Sequence, residues 1–416
     1  MGLKEITAEK MQDAEFLRQF KPAILEEVEE LNDGALEYRT DVYFDKEIGG
    51  PRAAELTPDE VRAAFRDSIR SATTAEEIRP FLNIDDRAYT MIDFTNPEAV
   101  DWWQDYVARL LEDDVAAFKL DRAEEFVPDA RDAYAHDGRS MAEVQNEYPV
   151  LYAKAVKEVV QKHREDFVIM PRAGYPGSQR YANAFWAGDT RATWLGFRNT
   201  LIAGLRSAVM GYPIWGSDTG GYWGGTTTQE LLSRWLGMSA FSPVMEVGPT
   251  NDQAPWDMPD GTGYNAEAIA TWRMYSLLHK HLQDYSIRYA EEARDTGHPI
   301  MRPLFVEYPD DERAWELWDE YLYGEDYLVA PVLEKGATER EVYLPEGRWV
   351  DYWNPDESPV EGPTTVTVKT PLYKTPIFLR ADSDQEILDL KQIYEESLEI
   401  ARDQPTLPDG SQLEGN

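Results

Sequence analysis

The sequence predicts an α/β fold, a (β/α)8-type barrel that is incomplete at its N-terminal side and is followed by a small β-sandwich domain. Three observations carry that expectation. Residues 115–125, V-A-A-F-K-L-D-R-A-E-E, begin as a short apolar run and end in Lys119, Asp121, Glu124 and Glu125. A buried parallel strand has this texture where it reaches the carboxyl-end rim of a barrel. Strand-like and helix-like segments then alternate from residue 90 to residue 305, which argues for a parallel sheet closing on itself. Beyond residue 321 the segments become short and are separated by Gly and Pro turns, the pattern of a compact β domain.

Taken in order, residues 90–94 read as a short strand. Asn96-Pro97 opens a helix with Pro at its first position and with Val100, Trp103, Val107, Leu110 and Leu111 on one face. After the strand at 115–121, a loop rich in Asp and Ala leads to a helix over 143–163. Strands follow at 167–172, 212–215 and 243–247, with helices at 194–210 and 229–238 between them. A single long helix is expected over 266–289, and 299–305 reads as the last barrel strand. Short strands are expected at 327–332, 340–344, 348–353, 365–368 and 377–380. An acidic helix over 386–401 precedes a Pro/Gly/Ser-rich end expected to be disordered. The expected divisions are 1–89 (an acidic, partly helical segment), 90–320 (the barrel), 321–382 (the sandwich) and 383–416 (the tail). Before residue 92 only weak runs occur, 36–44 being the better one, with a helix start at Thr57-Pro58. Three full βα units are not legible there.

Composition limits the function. Asp and Glu number 78 against 41 Lys and Arg, a net charge of −37. Such a surface repels nucleic acid and anionic membranes. The acids are spread along the whole chain, which favours a solvated surface over a single interaction tail. At molar salt the Debye length shrinks to roughly 3 Å, so the charge is read as that of a halophilic, cytoplasmic protein. The chain has no Cys, which removes disulfides and thiolate chemistry. Met1-Gly-Leu-Lys-Glu-Ile lacks a signal-peptide pattern. His279 and His281 are two apart and do not share a helix face, so no metal is expected. The chain shows no G-x-S-x-G elbow, and residues 216–225 lack the Lys of a phosphate loop. No cofactor is expected.

Chemistry concentrates at the strand ends. Asp121 alone would more often be a structural ion-pair partner than a catalytic group. The strand at 167–172, however, delivers Arg172 and runs on to Trp186-Ala-Gly-Asp189, and the next opens from Trp215 onto Gly216-Ser-Asp-Thr-Gly-Gly221. Acids, an arginine and tryptophans thus reach one rim. Two carboxyl groups flanking a glycosidic bond are what its cleavage requires, and Asp121 and Asp189 are the natural pair. Trp186, Trp215, Tyr222, Trp223 and Trp256 could each be core residues, but as a group they suit a sugar pocket, where aromatic faces meet apolar ring hydrogens.

At these residues the chain resembles glycoside hydrolase family 31, the α-glucosidase and α-xylosidase family. Asp121-Arg-Ala-Glu124 is similar to the family's D-x-x-E nucleophile motif, and Arg172 through Trp186-Ala-Gly-Asp189 to its R-x(n)-W-x-G-D segment. Asp93-Phe-Thr-Asn-Pro-Glu98, Gly216-Ser-Asp-Thr-Gly-Gly221, Arg302-Pro-Leu-Phe305 and Val329-Ala-Pro-Val332 fit in the same order. The resemblance covers residues 93–380. It implies a retaining α-glycosidase acting on terminal α-linked glucose or xylose, with Asp121 the nucleophile and Asp189 the acid/base. Arg172 and Asp218 would hold sugar hydroxyls, beside Glu124, Lys119, Trp186 and Trp215. Asp121 should stay ionised beside Lys119 or Arg172, and Asp189 should be raised by burial against Trp186. The chain departs from the family at Arg122-Ala123, where many members have Met-Asn or Phe-Gly, and at Ser217, where many place a sugar-binding His. The family's N-terminal β-sandwich and first three barrel strands have no clear counterpart. A sugar-binding chain or half-enzyme, completed by a homo-oligomer or by a complementary chain, is therefore the alternative expectation.

The charge generates a first prediction. Folding and activity should need molar KCl or NaCl and fade in dilute buffer; circular dichroism and size exclusion across a salt series would show a compact chain at low salt if the halophilic reading is wrong.

Overall fold

The computed structural model describes residues 92–124, 134–225, 227–247 and 264–403, with five helical residues between 63 and 71. The expected strand at 36–44, the helix start at Thr57-Pro58, Trp256 and residues 404–416 lie outside the described residues. Two compact units divide the chain, Met1–Ile92 with Val127–Ala133, and Asp93–Phe126 with Tyr134–Asn416. The second carries all that follows.

Helix α1 (Pro97–Glu112) starts where Asn96 accepts a hydrogen bond from the Glu98 amide and Pro97 supplies a fixed φ. Strand β1 (Ala117–Leu120) follows, then α2 (Met141–Val144) and α3 (Tyr148–His163). Strand β2 (Val168–Pro171) pairs parallel with β1, Leu120 opposite Pro171. Strand β3 (Phe185–Trp186) leads through α4 (Trp194–Val209) to β4 (Trp215–Asp218), and α5 (Gln229–Ser239) leads to β5 (Val244–Glu246). Strands β3, β4 and β5 form a parallel set, and the Asn183 and Ala184 amides donate to the Ile169 carbonyl to link it to β2. The five strands are thus a consecutive arc of parallel strands, with α-helices between all but β2 and β3, the arrangement of a (β/α) barrel.

Alternation along each strand divides its side chains between two faces. Phe118, Leu120 and Ile169 pack on Val107 of α1 and on Ala153, Val156, Val159 and Val160 of α3. Phe185 and Trp215 join the core with Phe197, Leu201 and Trp235 of the later helices. The opposite parity carries Lys119, Asp121, Arg172, Trp186, Asp218 and Glu246.

Several boundaries differ from expectation. Residues 92–94 are not a strand; Asp93 instead accepts from the Thr95 amide and hydroxyl in a tight turn. The strand expected at 212–215 is β4, displaced toward Asp218. The long helix at 266–289 is two helices, α6 (Ala266–His281) and α7 (Gln283–Thr296). No Gly or Pro marks the break; Leu282 takes ψ near 1° and is buried, and α7 then presents Tyr285 and Tyr289 to the core.

The expected last barrel strand is also different. Strand β6 (Met301–Pro303), followed by the short α8 (Leu304–Glu307), pairs antiparallel with β7 (Tyr321–Tyr323) and belongs to the C-terminal sheet. A three-residue strand carries no signal of its direction. The strands expected for the sandwich hydrogen-bond into one six-stranded sheet of order β10-β9-β11-β8-β7-β6, with β8 (Tyr327–Val329), β9 (Glu339–Asp351), β10 (Val360–Lys369) and β11 (Ile377–Arg380). Tyr321, Tyr323, Tyr327, Val329 and Ile377 face the helices of the barrel, and Leu322, Leu328, Val342, Leu344, Trp349 and Phe378 build a separate core on the other face. Helix α9 (Leu390–Asp403) lies against α6, with Tyr394 stacked on Tyr373 at 4.1 Å.

Two arginines and a glutamate pin this domain. Arg234 of α5, 2 % exposed, donates to the carbonyls of Ala337, Thr370, Pro371 and Lys374 at 2.8–3.1 Å. Arg302 pairs with Glu292 at 2.7 Å and Glu307 at 2.8 Å and donates to the Pro299 carbonyl. The Arg302-Pro-Leu-Phe305 motif is therefore a structural clasp. Glu320 is 1 % exposed, accepts from the Tyr343 amide and lies 3.4 Å from Arg340. Burial outweighs Arg340 and pushes its carboxyl up to about 8.

A carboxyl with a raised folded value favours the fold in its protonated form, so Glu320's contribution is full below the ordinary value of 4.5 and is lost as the pH climbs to about 8. Glu320→Gln should remove that dependence. Between pH 5 and 8 the melting temperature of the variant should gain on that of the parent; a constant difference in calorimetry would contradict it.

Candidate active site

Every side chain of the site comes from the carboxyl end of a parallel strand, where backbone hydrogen bonding stops and the side chains of adjacent strands converge. Arg172 follows β2, and its amide donates to the Leu120 carbonyl of β1. Its guanidinium, 9 % exposed, meets three carboxylates: Nη1 lies 2.9 Å from Asp121 Oδ1 and 3.3 Å from Asp189 Oδ1, and Nη2 lies 2.7 Å from Glu124 Oε1. Burial opposes the charge, but the three acids outweigh it and hold the guanidinium above its ordinary value.

The turn after β1 is strained. Arg122 and Ala123 have φ of 65° and 85°, the left-handed region that costs roughly 1–2 kcal/mol for a residue with a Cβ. These are the two positions where many family members have Met-Asn or Phe-Gly. Asp121 accepts from the Arg122 amide at 2.9 Å, and the turn leaves its carboxylate 61 % exposed. Gly188 is needed on the other side: its φ is +74°, and a Cβ there would fall 2.7 Å from Arg172 Cδ.

Asp189 is 44 % exposed. The burial against Trp186 expected for it is absent, because the segment is held by backbone instead: Trp223 Nε1 donates to the Asp189 carbonyl at 3.0 Å, and the Tyr222 amide donates to the Thr190 carbonyl at 2.7 Å. Trp223 is half-buried with the Arg191 guanidinium 4.9 Å from its ring centre, and Tyr222 is exposed.

Lys119 does not reach Asp121. It lies over the Trp186 ring, 4.3 Å from its centre, and pairs with Asp218 Oδ1 at 3.3 Å and Glu246 Oε2 at 3.1 Å. Its partial burial opposes the charge, but the two carboxylates prevail and raise its pKa. Asp218 is 1 % exposed; burial, opposed by Lys119 and reinforced by Glu246, pushes its carboxyl up to about 6. Asp218 and Glu246 are register partners on β4 and β5.

Two residues read as rim groups face the helices. Trp215 lies three positions before Asp218, on the opposite parity; it is 3 % exposed and packs so close that a Cβ on Gly204 of α4 would come within 2.6 Å of its ring. It is a core residue. Ser217, at the family's His position, is buried and accepts from Trp235 Nε1 at 3.1 Å. Glu246 was missed by sequence reasoning, although it ends an apolar run, Pro243-Val-Met-Glu246, as Asp121 does.

Comparison with known proteins agrees with this geometry. Residues 40–285 match the family model "Glycosyl hydrolases family 31 TIM-barrel domain", and residues 297–383 match "Glycosyl hydrolase family 31 C-terminal domain". The chain belongs to glycoside hydrolase family 31. The barrel match begins at residue 40, so it includes much of the stretch in which three βα units were not legible. Among family relatives, a 1,3-alpha-isomaltosidase of Kribbella flavida is 35% identical over 306 residues, covering 71% of this chain and 41% of the relative. A sulfoquinovosidase of Escherichia coli is 35% identical over 306 residues, covering 71% and 43%. A Flavobacterium johnsoniae family 31 dextranase complexed with glucose superposes with a TM-score of 0.64 at 35% identity, covering 70% of this chain and 37% of that one. The chain thus spans less than half the length of these family 31 proteins. Among the described residues no helix is long and apolar enough to cross a membrane.

Gly188→Ala tests the clamp. The left-handed backbone should cost roughly 1–2 kcal/mol, read as a lower melting temperature, and a crystal structure of the variant should show Arg172 displaced from Asp121 or Asp189; an unmoved guanidinium would show that Gly188 is not required.

Proposed function

We propose that this chain carries the catalytic machinery of a retaining α-glycosidase that releases terminal α-linked glucose or xylose. One observation carries the reading: a single nitrogen, Arg172 Nη1, touches both Asp121 and Asp189. Their Oδ1 atoms can be no farther apart than contacts of 2.9 and 3.3 Å laid end to end. That reach includes the roughly 5–5.5 Å spacing of retaining enzymes.

In the first step Asp121 attacks the anomeric carbon. The bond to the leaving oxygen breaks as the glycosyl ester forms, and Asp189 gives its proton to that oxygen. In the second, Asp189 takes a proton from water, whose oxygen attacks the same carbon and releases Asp121. The tuning follows from the contacts. Arg172 makes its shorter contact with Asp121, the group that must stay charged. Asp189, 44 % exposed in the free protein, is open to the leaving oxygen and to water. Glu124, held by Arg172 Nη2, completes the acidic wall, and Trp186 fixes Lys119 beside Asp218.

The relatives act on different glycosides by their names, so the sugar and linkage are to be settled by assay. A second reading, motivated by the weak apolar runs before residue 92, is a chain that binds sugar and is completed by another copy or by a complementary chain. An aryl α-glycoside assay on the full chain in high salt separates the two, since the second reading allows no turnover by this chain alone.

Asp121→Asn should abolish turnover with the fold intact, because an amide cannot form the glycosyl ester. Asp189→Ala should lower turnover of poor leaving groups by about 10²–10⁴-fold, spare activated aryl glycosides, and be rescued by azide, which attacks the intermediate without needing a base. NMR should show the α anomer first from an α substrate; a β anomer, or an Asp121→Asn variant as active as its parent, would end this mechanism.

A further inference from the structure

We propose that Glu246 is a specificity-determining residue: with Asp218 it accepts hydrogen bonds from sugar hydroxyls, and the pair, balanced by the single ammonium of Lys119, restricts the substrate to neutral glycosides. This rests on the glycosidase reading and names its substrate class. The two carboxylates stand side by side because Asp218 and Glu246 are register partners on adjacent parallel strands, both on the face that carries Lys119. Each gives one oxygen to Lys119. The other two, Asp218 Oδ2 and Glu246 Oε1, are buried and accept no hydrogen bond from any of the described residues. A buried carboxylate oxygen without a donor is destabilising, and such vacancies persist where a ligand supplies the donor.

The charge decides what that donor is. Two acids share one ammonium, and the neighbouring Arg172 is already committed to Asp121, Glu124 and Asp189. A hydroxyl brings a proton to a free carboxylate oxygen. A uronate or sulfate ester brings acceptors and a further negative charge, which the cluster repels. The side chain of Glu246 is 22% exposed and that of Asp218 is 2% exposed, so Glu246 is the member a substrate meets first.

The test compares p-nitrophenyl α-glucoside with p-nitrophenyl α-glucuronide on the full chain in high salt. The parent should turn over the glucoside and leave the glucuronide untouched. Glu246→Gln, nearly the same shape, should raise KM for the glucoside roughly 10–100-fold, the loss expected for a hydrogen bond to a charged group. It should change kcat much less and narrow the discrimination between the two sugars. A merely structural Glu246 would lower the melting temperature and kcat while leaving that discrimination alone. If no protein turns over any aryl glycoside, the glycosidase reading has failed, and saturation-transfer NMR with methyl α-glucoside and methyl α-glucuronide reads the inference by itself. Binding of the glucoside alone, weakened at least tenfold by Glu246→Gln, would support it. Equal binding of both sugars, an unaffected variant, or no binding of the glucoside by the parent would overturn it.

Discussion

Two cations hold five carboxylates at the ends of adjacent strands, and the site exists because that sharing is possible. Unit charges 4 Å apart interact by about 4 kcal/mol at an effective dielectric of 20, a large part of the ~5–15 kcal/mol that holds a domain together. Asp218 and Glu246 side by side would repel on that order without Lys119 between them. Asp121, Glu124 and Asp189 likewise converge because Arg172 reaches all three with two nitrogens. A lysine could not replace this arginine: the planar fork presents several fixed donors, whereas an ammonium is a single point charge.

Bringing these groups together demands backbone that ordinary residues resist. Arg122 and Ala123 sit in left-handed conformations immediately after Asp121, and Gly188 gives up its side chain so that Arg172 can lie against it. The strain is local and adjoins the reacting groups, where surrounding structure over-determines the chain. The cores beneath carry no such compromise. Phe118, Leu120 and Ile169 pack against α1 and α3 on one side of the rim, and Phe197, Leu201 and Trp235 support the other.

Much of this was legible in the sequence because a barrel writes its chemistry at one place, the end of each apolar run. Asp121, Arg172 and Asp218 follow from that signal, and Asp189 from the Trp186-Ala-Gly-Asp189 segment that resembles the family motif. Glu246 obeys it equally and was passed over because the strand, expected over 243–247, leads into no motif. Trp215 was misplaced for lack of parity: counting back from Asp218 by odd steps leads to the helix-facing side, which period-two alternation alone could have shown. Lys119 was expected at Asp121 from proximity along the chain; the two share a strand face, but Lys119 is drawn to carboxylates on β4 and β5 and Arg172 takes Asp121 instead. Element direction was beyond reach at β6, where three residues cannot reveal whether they pair parallel or antiparallel.

The C-terminal sheet explains why the barrel helices can be so apolar. Every residue of helix α5 from Leu231 to Ser239 is buried, which would be unfavourable for a helix on the outside of a lone barrel. Its Arg234 shows what covers it: four carbonyls of the segments around Ala337 and residues 370–374 converge on one guanidinium. Tyr275 of α6 adds a donor to the Tyr373 carbonyl at 2.8 Å and an acceptor for the Thr375 amide at 2.9 Å. Backbone carbonyls at the end of a sheet need partners when buried, and Arg234 and Tyr275 supply them from the barrel side. The tyrosine-lined face of the sheet then closes over α5, α6 and α7 as one core. Since α4 and α5 bracket β4, a sheet that holds α5 in place also holds Trp235 against Ser217, one residue from Asp218. Packing far from the rim thereby fixes the height at which the buried carboxyl meets Lys119.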